Sequence, residues 1–586
     1  MAESVPETRT TLTDANAAST MLAGGALALD ASRNPGVLDT ATWNAAEAWS
    51  AIAQAGTQWS QVQAAVIKHR PVPALCGITV APGACVRQGR NVLSVVRLVD
   101  GQHAIVHIGH RTDAAPMSQP LGRLQLSDHV VLRAYAADAL AIDALAQQFP
   151  EITAPRALGT IPRLGIGVRM TTAVWPGIFQ AMDACGCATN PIQNSVRELN
   201  LLEDLVQGRP APRNYACGFG TIDSGYTGST FEGLWLSGVL AAMDHPHALR
   251  FGADADHLQV KRDDVGLVRL RRTLAAARSY TFFTVDVSDV LDYAALDAAS
   301  GDHAPTDMMP VSIELMHYHR DPVVIAGRRY CSTEGAVARY ARKYGAALDA
   351  LATISAMIHD LQGGRAFDLE LSIDEHPSEI AAFSCLTGCE EYLFVLREIR
   401  RRGLRVSHIA PNLGIEKGLD YRHPSGLDGL RERTRTLFDL SEAFGVLIDV
   451  HSADDLSVPV REVLRQATGG RLHYKISPSL QLLFAEVLSH HHPELFARWW
   501  DDAYAYAVRE SDAGSTLARA HLALPRIGRD VTDPLFHDYS FAFVGRRSAQ
   551  GRFLQREEFY SLSPRFLRDY TAAVAHRIAG LASEIF

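Results

Sequence analysis

The chain has 586 residues, 47% of them apolar and 21% charged, with a formal net charge of −9. That length accommodates a barrel of about 250 residues plus roughly one or two further domains, and the composition is ordinary for a globular enzyme. An acidic balance with no basic stripe argues against a nucleic-acid partner, and no apolar run approaches the roughly 18 to 20 residues of a membrane span. The N-terminus is polar and lacks the basic start of a secretory signal, so a cytoplasmic location is expected. The eight cysteines are scattered without paired CxxC spacing. Free thiols are therefore expected, including at Cys185-Gly186-Cys187, rather than a zinc knuckle.

Residues 1–40, rich in Ala, Thr, Ser and Asp and without a sustained period, predict a flexible N-terminal arm. Residues 41–155 predict a small α+β domain. It opens with a helical pattern over 43–69 in which Trp43, Trp49 and Trp59 supply packing surface. Two β-rich runs within 91–110 follow, joined at Asp100-Gly101, a strong hairpin signal. His103 and His107 share one face of the second run and His110 takes the other, which suits a packed strand better than a metal cluster. A helical pattern over 132–149 closes the domain.

From 156 to 480, strand-like runs alternate with helical patterns. The strand candidates are 158–170, 214–223, 248–257, 280–289, 367–375, 405–412, 446–455 and 471–477. Segments 192–208, 231–245 and 338–363 read as intervening helices. Strands that are apolar throughout need a parallel sheet covered on both faces, and this alternation predicts an α/β fold, a (β/α)8 TIM-like barrel. Residues 481–586 predict a helical C-terminal extension that caps the barrel.

In such a barrel the C-terminal strand ends share one mouth. Asp256 or His257 ends the third run, Asp286 the fourth, Asp374 and Glu375 the fifth, His451 the seventh and Lys475 the eighth, while Lys417 follows the sixth. Carboxylates and imidazoles suit a divalent Mn, Zn, Ni or Fe ion that polarises a ketone, making Asp286, Glu375, His451 and His257 the candidate metal ligands. Lysines desolvated in the mouth lose proton affinity and suit acid/base work, so Lys475 and Lys417 are catalytic candidates beside Asp374 and Asp256. The glycine-rich stretch 218–230 matches no nucleotide fingerprint and reads as a loop over the mouth.

The series RLGIGVRM, GADADHL, YTFFTVDVSD, SIDE, RRGLRVSHIAPNLGIEKGLDY, HSADD and TGGRLHYKIS, spanning about 160–480, resembles the tagaturonate/fructuronate epimerase family, whose relatives act on tagatose and fructose. The resemblance implies a cytosolic, metal-dependent barrel isomerase acting on a small sugar or sugar acid. It implies inversion of the carbinol β to a ketone by retro-aldol cleavage and re-addition. Within its motifs, Arg169, Glu416 and Asp454 are the expected substrate-binding residues. A homo-oligomer is possible; nucleic-acid and membrane partners are not expected. Three departures concern substrate contacts: HPSEIAAF follows SIDE, Leu456 stands where the family has a lysine, and ISPSLQLL follows TGGRLHYK. Loss of that lysine would suit a neutral ketose. An aldolase, a sugar isomerase or a non-catalytic sugar-binding barrel remain the alternatives.

Overall fold

A computed structural model describes residues 20–21, 28–113, 117–216, 220–261, 264–293, 312–375, 382–548 and 551–586. Most of the expected N-terminal arm (1–19 and 22–27), Cys217, the start of the glycine-rich stretch and the segment 376–381 lie outside them. The end of the arm, 28–40, is docked. Asp30 N–H and Asn34 Nδ2 donate to Glu557 at 3.1 Å, Val37 is buried, and Thr40 bridges to Asp138.

Antiparallel strands Ile78–Gln88, Asn91–Leu98, His103–His110, Val130–Ala136 and Gly122–Gln125 form a sheet in that spatial order. The helical pattern over 43–69 resolves into two helices, Ala45–Gln54 and Gln58–Ile67, which cover one face and bury Trp59. The other face, with helix Ala139–Gln148, shares a core with the barrel. The helix expected over 132–149 begins only after Asp138, whose carboxylate caps Ala141 N–H. Its first residues form strand instead, because VVLRAYA pairs with Ala104–His110 along its whole length. His103 and Arg97 each reach Asp244 at 3.3 Å, fastening the sheet to a barrel helix.

The closed barrel has eight parallel strands in chain order: Arg163–Gly167, Ala188–Ser195, Phe251–Gln259, Phe282–Asp286, Asp368–Ser372, His408–Ala410, Leu447–Val450 and Leu472–Ile476. The second strand corrects the sequence expectation. Residues 213–216 and 220–223 pair antiparallel with one another outside the barrel, and ATNPIQNS, taken in part as helix, is the true strand. Its inward residues Asn190, Gln193 and Asn194 are polar, so it lacks the apolar signature, and Pro191 sits where the register shifts, the place a strand tolerates proline.

The C-terminal region is helical, as expected. Helix Pro478–His491 follows the last strand and helix Pro564–Ile585 packs back along Trp175–Cys185. Gly177 permits the approach, since a Cβ there would stand 2.6 Å from Val574 Cβ. Among the described residues, no helix is long and apolar enough to cross a membrane.

Candidate active site at the barrel mouth

Inward-facing residues alternate along each strand and stack in layers. At the floor Arg163 is fully buried, pairs with Asp368 at 3.0 Å and lies 5.6 Å from the Phe282 ring centroid. Above it, His408 and His473 pack edge-on to Phe282. Burial presses both imidazoles below their ordinary range, His473 to about 4, so this layer is neutral.

The next layer is a cation caged by acids. Lys475 Nζ donates to Glu370 Oε2 at 2.7 Å, Asp256 Oδ1 at 2.9 Å and Thr284 Oγ1 at 2.9 Å, with Asp254 at 3.2 Å and Asp449 at 3.5 Å. Burial alone would lower its ammonium, but Asp254, Asp256, Glu370 and Asp449 raise it well above the ordinary value. The downward shift expected for a mouth lysine is thus reversed at Lys475.

The top layer holds the candidate ligands. Asp256 and His257 are consecutive and would ordinarily face opposite sides of a strand. Both reach the mouth because the strand slips register between Ala255 and Leu258, with His257 at φ +54°. A non-glycine residue in that region costs about 1–3 kcal/mol, which the rest of the barrel must sustain. His257 Nδ1 lies 3.6 Å from both Asp286 Oδ2 and Glu375 Oε1, while Nε2 lies 3.8 Å from Asp256. Nδ1 and Asp286 Oδ2 are buried without a hydrogen-bond partner. Burial would lower His257, yet Asp256, Glu375 and Asp286 raise it to about 9. Burial would raise Asp286, but His257 and Arg197 hold it well below the carboxylate range.

His451, the fourth expected ligand, stands beside this group with its ring centroid 5.0 Å from that of His257. Its nitrogens face other acids: Nε2 is 2.7 Å from Glu370 and Nδ1 is 3.1 Å from Asp374. Three of the four expected ligands therefore converge, and the fourth belongs to a neighbouring cluster with Glu370 and Asp449. Asp374 also accepts from Ser372 Oγ at 2.8 Å.

These groups open into a cavity of about 480 Å³. Arg169 lines it with Nε held by Glu198 at 2.9 Å. Glu198 also receives Tyr226 O–H at 3.0 Å and Asn194 Nδ2 at 2.7 Å. Arg197 braces Glu375 at 2.9 Å. Lys417 remains accessible from the cavity although protein surrounds it. That desolvation and the charges of Arg169 and Arg197 bring its ammonium down to about 8, the direction expected for a mouth lysine.

Two expected substrate contacts are otherwise engaged. Glu416 gives both oxygens to Arg422, at 2.6 and 2.9 Å, bracing its own loop. Asp454 lines the cavity, but its Oδ1 accepts Ser477 N–H at 2.8 Å and Ser479 N–H at 2.9 Å, capping helix Pro478–His491. Leu456, whose departure from the family pattern suggested a neutral substrate, is buried in the core and does not line the cavity. Sequence reasoning missed Arg197, Glu198 and Asn194 because their strand was misassigned. It missed Asp254, Glu370 and Asp449 because they sit inside apolar runs rather than at their ends; a charged residue within an otherwise apolar strand was the available signal.

A parallel barrel with its charged side chains gathered at the C-terminal strand ends defines a barrel enzyme. The family model described as tagaturonate epimerase (UxaE) matches residues 222–517. The chain belongs to that family and is an enzyme of the isomerase class. It is similar in fold to the native crystal structure of fructuronate-tagaturonate epimerase UxaE from Cohnella laeviribosi, with a TM-score of 0.60 and 18% identity over 87% of this chain and 96% of that one. The same protein complexed with two glycerols matches with a TM-score of 0.61 at 18% identity, over 90% and 99% of the two chains. No curated protein matches.

Proposed function

We propose that the chain is a cytoplasmic, metal-dependent epimerase of a hexuronate ketose, exchanging tagaturonate and fructuronate. Inversion falls on the carbinol β to the ketone, by cleavage and re-formation of a carbon–carbon bond. The observation that carries the metal is the pair of orphaned buried atoms, His257 Nδ1 and Asp286 Oδ2, at 3.6 Å, with Glu375 Oε1 equally far from that nitrogen. This spacing is too long for hydrogen bonds. Ligands about 2.1 Å from one ion stand roughly 3 to 3.5 Å apart, so the group needs to close by only a fraction of an ångström. A divalent Mn, Zn, Ni or Fe ion held there would supply Lewis-acid polarisation of the substrate ketone.

The other roles belong to side chains. Lys417, with its ammonium at about 8, takes the β-hydroxyl proton as a neutral amine. As that proton leaves, the bond between the carbinol carbon and its neighbour α to the ketone breaks. The carbinol carbon becomes an aldehyde, and the electron pair remains with the ketose fragment. After half a turn of the aldehyde, the bond re-forms on the other face and Lys417 returns the proton. Lys475, a permanent cation lining the same cavity, offsets the charge that accumulates during cleavage. Asp256 faces the Nε2 side of the His257 imidazole at 3.8 Å and favours its charge there, while Asp374, at 3.1 Å from Nδ1, orients the His451 ring. Arg169 has only its Nε engaged among the described residues, so its terminal nitrogens suit the uronate carboxylate, a reason to favour the acid over the neutral ketose.

The test is proton NMR of metal-reconstituted enzyme in deuterated water with tagaturonate, fructuronate, tagatose and fructose separately. Interconversion of the two uronates without deuterium at the inverted carbon is expected. Deuterium there would replace bond cleavage by proton abstraction, and turnover of the neutral pair alone would reassign the substrate. No turnover together with no stoichiometric ion would sink the proposed metal-dependent epimerisation.

A further inference from the structure

A second cavity, of about 940 Å³, lies outside the barrel, between residues 207–213 and 223–226 on one side and the C-terminal helical region on the other. Five guanidinium groups line it, from Arg209, Arg213, Arg509, Arg546 and Arg547, against the carboxylates of Asp223 and Glu510. That concentration of positive charge stands out in a chain whose net charge is −9. Three of the arginines are matched: Arg209 by Asp204 at 2.7 Å, Arg213 by Asp223 at 3.5 Å, and Arg546 by Asp502.

Arg509 and Arg547 have no ion pair among the described residues. Arg509 sits over the Tyr506 ring, 5.4 Å from its centroid. Arg547 is partly buried, and burial lowers its guanidinium with no carboxylate to offset the loss. A desolvated cation without a counterion is costly, and a folded protein ordinarily supplies one or leaves room for one. Ser224, buried and lining the same cavity, has an Oγ without a hydrogen-bond partner. Two unmatched guanidinium groups and an unused hydroxyl are donors of the kind that hold phosphate oxygens, with each guanidinium able to bind in a bidentate fashion.

We propose that this cavity binds a small phosphate-bearing molecule, its phosphoryl oxygens held by the Arg509 and Arg547 guanidinium groups and the Ser224 hydroxyl. Glu510 faces the same space and opposes the anion, which sets a limit on affinity. Among the described residues, Tyr226 alone lines both this cavity and the barrel mouth. Its ring packs edge-on to Phe541 at 4.6 Å, and its hydroxyl donates to the Glu198 that holds Arg169. Occupation of the outer cavity would therefore bear on a residue that shapes the mouth.

The test uses the full chain and inorganic phosphate, followed by calorimetric titration and thermal shift against chloride at matched ionic strength. Saturable binding is expected. R509Q and R547Q should each weaken it at least tenfold, E510Q should strengthen it, and K417M, which alters the barrel mouth, should leave it unchanged. Unaltered melting of each variant without phosphate checks folding; should R547Q fail there, R509Q, at an exposed position, and E510Q, at a half-buried one, decide. Stabilisation no greater than that by chloride overturns the proposal. So does binding that survives R509Q and R547Q but disappears in K417M.

Discussion

Two charged clusters in the barrel share Asp256 as a common wall and are opposite in state. Around Lys475 the contacts are short, from 2.7 to 3.2 Å to its nearest partners, and the cation is finished by the protein itself. Around His257 the gaps are 3.6 Å, and buried atoms stand without partners. Buried polar groups are almost always satisfied, so the Lys475 ammonium is a cation the protein itself neutralises, whereas His257 Nδ1 and Asp286 Oδ2 are left for a partner that the proposed metal would supply.

The largest effects should come from the incomplete cluster. Glu375→Gln and His257→Ala are each expected to lose bound metal and more than about a hundredfold in turnover. Melting without added metal should change little. Metal analysis beside initial rates checks this, and a variant keeping both ion and rate would remove that residue from the site. His451→Ala sharpens the contrast, since its nitrogens face Glu370 and Asp374: the ion should stay while turnover falls.

The completed cluster should break as a fold. Lys475→Met leaves buried acids uncompensated and is expected to cost about 3–5 kcal/mol in urea unfolding. With the cation gone, folded-state carboxylate pKa values rise above their unfolded ones, so the folded state binds more protons. The deficit should therefore shrink as pH falls. A deficit independent of pH would mean that packing, not charge, is what the substitution removes.

Lys417 is the kinetic counterpart of Lys475. Its working form is the neutral amine, so kcat/KM should rise with pH through about 8 and then level. Lys417→Met should lose that limb and about a hundredfold in rate, with unchanged stability. Retention of the limb would assign it to another group. The smallest effect is expected at Asp454→Ala, which removes two backbone hydrogen bonds at a helix start and should cost about 1 kcal/mol while leaving KM unchanged. A large rise in KM would return Asp454 to the substrate.

Legibility in the sequence followed chemistry in a consistent way. Strands with apolar bodies and charged ends, such as 282–286 and 472–476, were found together with their terminal residues. The polar second strand was not, and with it went Arg197 and Glu198. Lys417, which a surface position would explain by sequence alone, and Lys475, inside an apolar run, exchange character in the folded chain. The number of acids around each ammonium is a property of eight strands at once.

The sequence by itself determined the parallel barrel, the family and the residues available at the mouth, because period and strand-end chemistry are local. Only the tertiary structure decided which of those residues face one another. The bulge that turns both Asp256 and His257 inward, the four carboxylates that fix the proton on Lys475, and the capture of Glu416 and Asp454 by other partners all depend on distances across the barrel. A one-dimensional pattern does not carry those distances.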